Sequence, residues 1–233
     1  MYQPAVDWNP QQSLLRDIIR KEDRFDEAIK LCLELHAFVH QSSIPTPERQ
    51  TLADMVCANL NTDDYAIMPT VKDVTIAWNI WHITRVEDLT MNLLVGAGEQ
   101  VLDDHWRKRL NTPITDTGNA MTDDEIISLS LELDKTALWD YRNAVASRSR
   151  NILQALQSSD MKRKFFREQV EQTALQGGLT AHPDSIWLKD FWGKKDVAGI
   201  LLLPLTRHQA GHLNDCLKLK SKLRGRRNTD PPF

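Results

Sequence analysis

Apolar residues recur every three or four positions over four long stretches of the chain, the spacing of helices that bury one face. The first stretch covers about residues 11–42, between Asn9-Pro10 and Ser42-Ser43-Ile44-Pro45. The second begins after Thr70, where Thr70-Val71-Lys72-Asp73 has the form of a capping box, and stops at Gly96-Ala97-Gly98. The third opens on the Thr-x-x-Glu box Thr122-Asp123-Asp124-Glu125 and runs to about 157; the fourth covers about 196–223. Shorter helices are predicted after Thr46, with Pro47 in the first turn, and over 101–110 and 161–176. Residues 177–195 read as loop with one turn near Trp187, and residues 1–10 and 224–233 as tails. The pattern predicts an all-α fold: one four-helix bundle domain over residues 1–233, with extra short helices in its connections. The connections 43–70 and 98–121 are too long for a minimal bundle and should pack over its ends.

The polar exceptions on the apolar faces carry the chemistry. In the fourth stretch Leu201, Leu205, His208, His212, Cys216, Leu219 and Leu223 follow steps of four and three. His208 and His212 lie about 40° apart on that seam, so both face inward. In the second stretch Val71, Trp78, Val86, Leu89 and Leu93 fall within about 40° of the line through His82. In the first, Ile18, Phe25, Ile29, Cys32, His36 and His40 form one stripe. Glu87 lies about 140° around its helix from His82 and faces another way. His105 and His182 sit in a charged string and before a proline, and receive no role.

Five of the seven histidines therefore face a predicted core. A buried imidazole left unpaired costs about 1–3 kcal/mol, so each needs a hydrogen-bond partner or a metal. Neutral imidazole is a good ligand for Zn²⁺, Ni²⁺ or Fe²⁺. The pair His208 and His212 with His82 from a neighbouring helix supplies three ligands and leaves a fourth position open. The competing reading is that these are core histidines satisfied by hydrogen bonds.

Composition narrows the remaining choices. The chain has 233 residues, 9 of them Gly and 10 Pro, which favours helices over many tight turns. Its net charge of −3 makes it no evident polyanion binder as a whole. The basic C-terminal run LKLKSKLRGRRN reads as a helix terminus rather than a nucleic-acid tail. Cys32, Cys57 and Cys216 are widely spaced, with no C-x-x-C zinc pattern and no disulfide framework; Cys216 reads as an inert buried thiol. With no leader pattern and no long apolar run, a cytoplasmic protein without membrane or nucleic-acid partners is expected. No Glu-x-x-His pair of a di-iron bundle occurs, nor a glycine-rich nucleotide motif.

The stretches TIAWNIWHITRVEDLTMNLL and TRHQAGHLN resemble the DinB/YfiT-like metalloprotein superfamily. That resemblance implies a four-helix bundle whose metal site takes one histidine from the second helix, matched by His82, and a His-x₃-His pair from the fourth, matched by His208 and His212. It also implies a divalent ion, zinc first and nickel or iron as alternatives. Some members are thiol-dependent transferases or isomerases using a low-molecular-weight thiol. Others are bundle domains of iron-dependent sulfur-inserting enzymes with a His-x₃-His-x-Glu motif. Here Asn214 replaces the acid, which argues against that iron chemistry. The expected function is a metal-dependent transferase or hydrolase acting on a small molecule. The alternative is a non-catalytic bundle, with a structural metal or buried histidines, serving as a homodimer, interaction or stress-response module.

Catalytic candidates beyond the ligands are His36, His40 and Arg85. His36 and His40 either hydrogen-bond other core groups or sit beside the metal as proton carriers. Arg85 and Asn79 flank His82 by about 60° and could both reach its cavity, Arg85 binding a substrate carboxylate or making an ion pair at the rim. Trp78, Trp81, Trp187 and Trp192 form either an aromatic substrate wall or ordinary core. Pro204 either kinks the fourth helix ahead of His208 or marks its true start.

Overall fold

The computed structural model describes residues 2–42 and 50–229. The start expected for the short helix at Thr46 and Pro47 lies outside the described residues; within them a short helix, Leu52–Cys57, is capped by Thr51. Four helices form the frame: α1 Phe25–Val39, α2 Ile76–Glu87, α3 Lys135–Ala155 and α4 His208–Thr229. α2 packs on both α3 and α4, and α1 closes the ring against the same two. The molecule is all-α. Among the described residues, pairing of strand type is confined to the isolated bridge between Lys164 and Asp196, and no helix is long and apolar enough to cross a membrane.

Several boundaries differ from the sequence reading, each for a local reason. The first predicted helix is broken into Asn9–Ile18, a 3₁₀ turn Glu22–Arg24, and α1. Residues 20–24 are all charged, so no buried side chain holds them in line. Lys21 is extended, and the Arg20 guanidinium grips the Asp196 carboxylate at 2.6 and 3.0 Å. The supposed amino-terminal tail is structured: Trp8 is buried and stacks near Phe38.

α2 starts five residues later than its Thr70 signal suggests. Thr75 is the cap, its hydroxyl oxygen accepting from the Trp78 N–H at 3.0 Å. Asp73 instead binds Lys222 of α4 and the Thr70 hydroxyl. The Thr122 capping box is present as expected, but its helix ends at Glu132. There Asp134 caps α3 by accepting from the Ala137 N–H at 2.7 Å, a stronger local option than continuing the first helix. Residues 177–195 contain a helix, Pro183–Gly193, rather than a loop. His182 caps it, Pro183 fills its first position, and Ser185, Leu188 and Trp192 bury one face.

The approach to α4 runs through Val197–Leu202 and a π-helical turn, Leu203–Arg207. Pro204 has no N–H and its ring clashes with the carbonyl one turn back, so the α pattern cannot pass. Neighbours replace the lost bonds. The Thr206 hydroxyl donates to the Leu201 carbonyl at 2.8 Å, and the Gln12 amide to the Leu202 carbonyl at 2.8 Å. Pro204 thus neither merely kinks nor starts the helix. A second π segment, Asp88–Val95, extends α2 to the predicted stop at Gly96.

Candidate metal centre

The segment 115–118 runs alongside α2, not over the end of the bundle. Four consecutive carbonyls each accept a hydrogen bond from one face of that helix. Arg85 Nε donates to Thr115 at 2.9 Å and Trp81 Nε1 to Asp116 at 3.1 Å. His82 Nδ1 donates to Thr117 at 2.8 Å, and Trp78 Nε1 to Gly118 at 3.1 Å. Positions 78, 81, 82 and 85 share one helical face, so a single strip of backbone accepts from all of them. Gly118 is needed for this fit: its φ is +78°, and a Cβ there would lie 2.7 Å from Trp78 Nε1.

A carbonyl oxygen only accepts, so Thr117 fixes the proton of His82 on Nδ1 and leaves a lone pair on Nε2. His212 is fixed the same way. Its Nδ1 donates to Asn79 Oδ1 at 2.7 Å, and the orientation of that amide is set because Asn79 Nδ2 donates to the Thr75 carbonyl at 2.9 Å. Of the two α2 residues expected to flank His82, Asn79 therefore reaches the histidine site.

The three rings converge. His82 Nε2 lies 3.1 Å from His208 Nε2, and the ring centroids of the trio stand 4.5–5.0 Å apart. One ligand atom from each of His82, His208 and His212 falls in a set whose members all lie within 4.8 Å of one another. His82 is buried, and His208 and His212 are half-buried. Trp78 stacks on His82 with centroids 4.8 Å apart and planes 3° from parallel, walling one side.

Electrostatics favour neutral rings. Burial, then the neighbouring His212, pushes His82 down to about 3 despite its bond to Thr117. Burial lowers His212 to about 4 and holds His208 well below the usual imidazole range, with both partner rings adding to the latter. Neutral imidazoles with Nε2 lone pairs pointed together form a donor set for a cation. A lone pair on His82 facing another ring nitrogen at 3.1 Å is favourable only with a shared proton or ion between them. The residues fit a divalent metal on these grounds. His208 Nδ1 is buried and has no hydrogen-bond partner.

The other candidates lie elsewhere. His36 Nε2 and His40 Nε2 meet the two oxygens of Glu87, at 2.8 and 3.1 Å, and all three residues are fully buried. Burial alone would raise the Glu87 carboxyl, but the two imidazoles hold it well below the usual carboxylate range. Burial and then the Arg142 guanidinium push His40 down to about 3. Arg142 donates to the Val39 carbonyl at 2.8 Å and places its charge within reach of Glu87. These ligand-type atoms also lie within 4.8 Å of one another. Glu87, however, already has two imidazoles and a buried cation around it. The Nδ1 atoms of His36 and His40, like that of His208, have no hydrogen-bond partner, whereas those of His82 and His212 are held by Thr117 and Asn79, so outer support of the kind metal-bound histidines usually have is found in the histidine trio. Glu87 faces away from His82, as its 140° offset requires, and meets α1, a partner that one helix alone does not reveal.

Arg85 does not enter the histidine site. It donates to Asp88 at 2.9 Å, to Tyr141 at 2.9 Å and to Gln100 at 2.8 Å. Trp78 joins the histidines, and Trp81 binds the Asp116 carbonyl. Trp187 stands partly exposed against Phe191, and Trp192 is core. Cys216 is fully buried, its thiol pushed up by burial, and Cys32 rises to about 12, so both stay protonated.

Residues 48–215 match the family model described as the DinB superfamily. No curated protein matches the chain.

Proposed function

Because the chain belongs to the DinB superfamily, we propose that it is a metal-binding protein whose ion is held by His82, His208 and His212 and serves a transferase or hydrolase reaction. Zinc is the first choice of ion, with nickel or iron(II) as alternatives. The observation that carries the reading is the convergence of Nε2 atoms from two helices, with the far nitrogens of His82 and His212 tied to Thr117 and Asn79. Carbonyl or amide acceptors behind ligating imidazoles are the usual outer support of a metal site.

When bound, the ion supplies Lewis acidity, lowering the pKa of a thiol or water beside it so that a nucleophile exists at neutral pH. The chain's own residues do the positioning. Asn79 and Thr117 keep two rings in one tautomer and orientation. Trp78 excludes water from one side and offers an apolar wall to the carbon skeleton of a substrate. His36 and His40 are occupied by Glu87 and Arg85 by Asp88, so none of the three is assigned a proton-transfer role.

The test is elemental analysis of protein purified without a histidine tag. His208→Ala and His212→Ala should each lose the bound ion and melt earlier than the parent. Full metal content in both variants overturns the reading. Turnover of a low-molecular-weight thiol with an electrophilic acceptor, abolished by chelation and restored by zinc, separates a transferase from a hydrolase.

A further inference from the structure

A cleft of about 710 Å³ lies on another part of the molecule, between the helix Asn9–Ile18 and the run from Lys194 to the π turn before α4. Six cations line it: Arg16, Arg20, Lys164, Lys194, Lys195 and Arg207. Among the described residues the one acid in the lining is Asp196. We propose that this cleft binds a small, multiply charged anion, a molecule bearing two or more phosphate or carboxylate groups.

Charge is the first argument. The whole chain has a formal net charge of −3, yet this wall is strongly positive, so the rest of the protein is more negative than the average suggests. Gathering like charges in one concave surface is unfavourable without a counter-charge, and the cleft's walls focus that field.

Asp196 does not neutralise the site. Its two oxygens accept from Arg20 at 2.6 and 3.0 Å, and one of them also accepts the Gly199 N–H at 2.8 Å. That carboxylate is spent on Arg20 and on capping the helix Val197–Leu202. Among the described residues Arg16 pairs only with its exposed neighbour Asp17, a contact of little energy that an incoming anion can replace. Among the described residues, the Lys194 ammonium and the Arg207 guanidinium have no ion-pair or hydrogen-bond partner. Lys195 rests over the Phe191 ring at 4.3 Å. Guanidinium groups can meet phosphate or carboxylate oxygens two at a time, while the lysines add point charge.

Size is the second argument. The volume lies in the range of sites for small organic ligands, far more than inorganic phosphate needs. Trp8, Leu202 and Leu203 supply an apolar part of the wall, so the ligand should carry a hydrophobic or ring portion besides its charges.

Calorimetry on the full chain at low and moderate salt, with inorganic phosphate, tripolyphosphate, citrate and ATP as probes, tests this. A probe with several charges should bind at least about tenfold tighter than phosphate, with affinity falling as salt rises. ATP outranking tripolyphosphate identifies a ligand with a ring portion, and citrate outranking both identifies a polycarboxylate. The double variant Lys194→Glu/Arg207→Glu should lose about tenfold or more in affinity, with an unchanged circular dichroism spectrum. His208→Ala should bind the probe as the parent does, which separates this cleft from the histidine centre. Binding no tighter than phosphate, affinity untouched by the charge reversals, or tighter binding to a duplex oligonucleotide than to any small anion each overturns the proposal.

Discussion

Asn79 and His212 are 133 positions apart in sequence, and the imidazole Nδ1 donates to the amide Oδ1 at 2.7 Å. The bond joins α2 to α4 directly behind the converging nitrogens. Asn79 is buried, and its own Nδ2 is tied to the Thr75 carbonyl at the helix cap. The orientation of His212 is thus set by the first turn of the neighbouring helix.

Replacing Asn79 by Leu should weaken zinc affinity by about 10–100-fold, because the ring loses its acceptor and its fixed tautomer. Asn79→Asp, which keeps an acceptor, should retain more affinity than the leucine variant. Competition against a zinc-binding dye measures both. Equal affinities in parent and leucine variant would show that the bond does not support the site.

Gly118→Ala should cost about 1–3 kcal/mol, since alanine is strained at φ +78° and its Cβ would sit 2.7 Å from Trp78 Nε1. Gly211→Ala is the control. It sits within α4 with nothing within 4 Å of the added carbon, and should stabilise by about 0.5–1 kcal/mol. Urea titrations of the two variants should move in opposite directions.

Glu87→Ala should destabilise by about 3–5 kcal/mol, because both His36 and His40 lose their partner and the buried Arg142 loses its counter-charge. The zinc content should remain that of the parent. Loss of one equivalent of zinc in this variant would instead make Glu87 a ligand.

Acid should destabilise the protein. His40 is depressed from the usual 6.5 to about 3, so below 6.5 the unfolded chain takes up a proton that the folded chain refuses. That contribution is fully present above 6.5 and is lost as the pH falls toward 3. Glu87, held below its usual 4.5, adds a loss of the same sign at lower pH. Urea midpoints should fall between pH 6.5 and 4, and less steeply in His40→Gln. A parent midpoint that is flat over this interval contradicts the assignment.

Much of the frame was legible because burial and period coincide. Leu201, Leu205, Cys216, Leu219 and Leu223 are all buried as their spacing requires, and His208 and His212 lie on the same seam. The Thr122 box and the stop at Gly96 were readable from local capping chemistry. The breaks at Arg20–Arg24 and at Leu133 were not, since both depend on a local alternative winning over a continuous pattern. Nor was the strip 115–118, whose role is played by carbonyls that every residue possesses. Only the cluster Trp78, Trp81, His82 and Arg85, four donors on one helical face, hinted that a row of acceptors must lie opposite.

The π turn at Pro204 has a consequence for how sequence changes can be tolerated there. One residue more or fewer in a helix rotates everything beyond it by about 100° about the axis. The widened turn acts as a phase setter between the segment anchored by Asp196 and the one bearing His208 and His212. Point substitutions around it alter only side chains. A single deletion between Leu202 and Thr206 would swing both imidazoles off their bearing toward α2, even with every ligand residue retained.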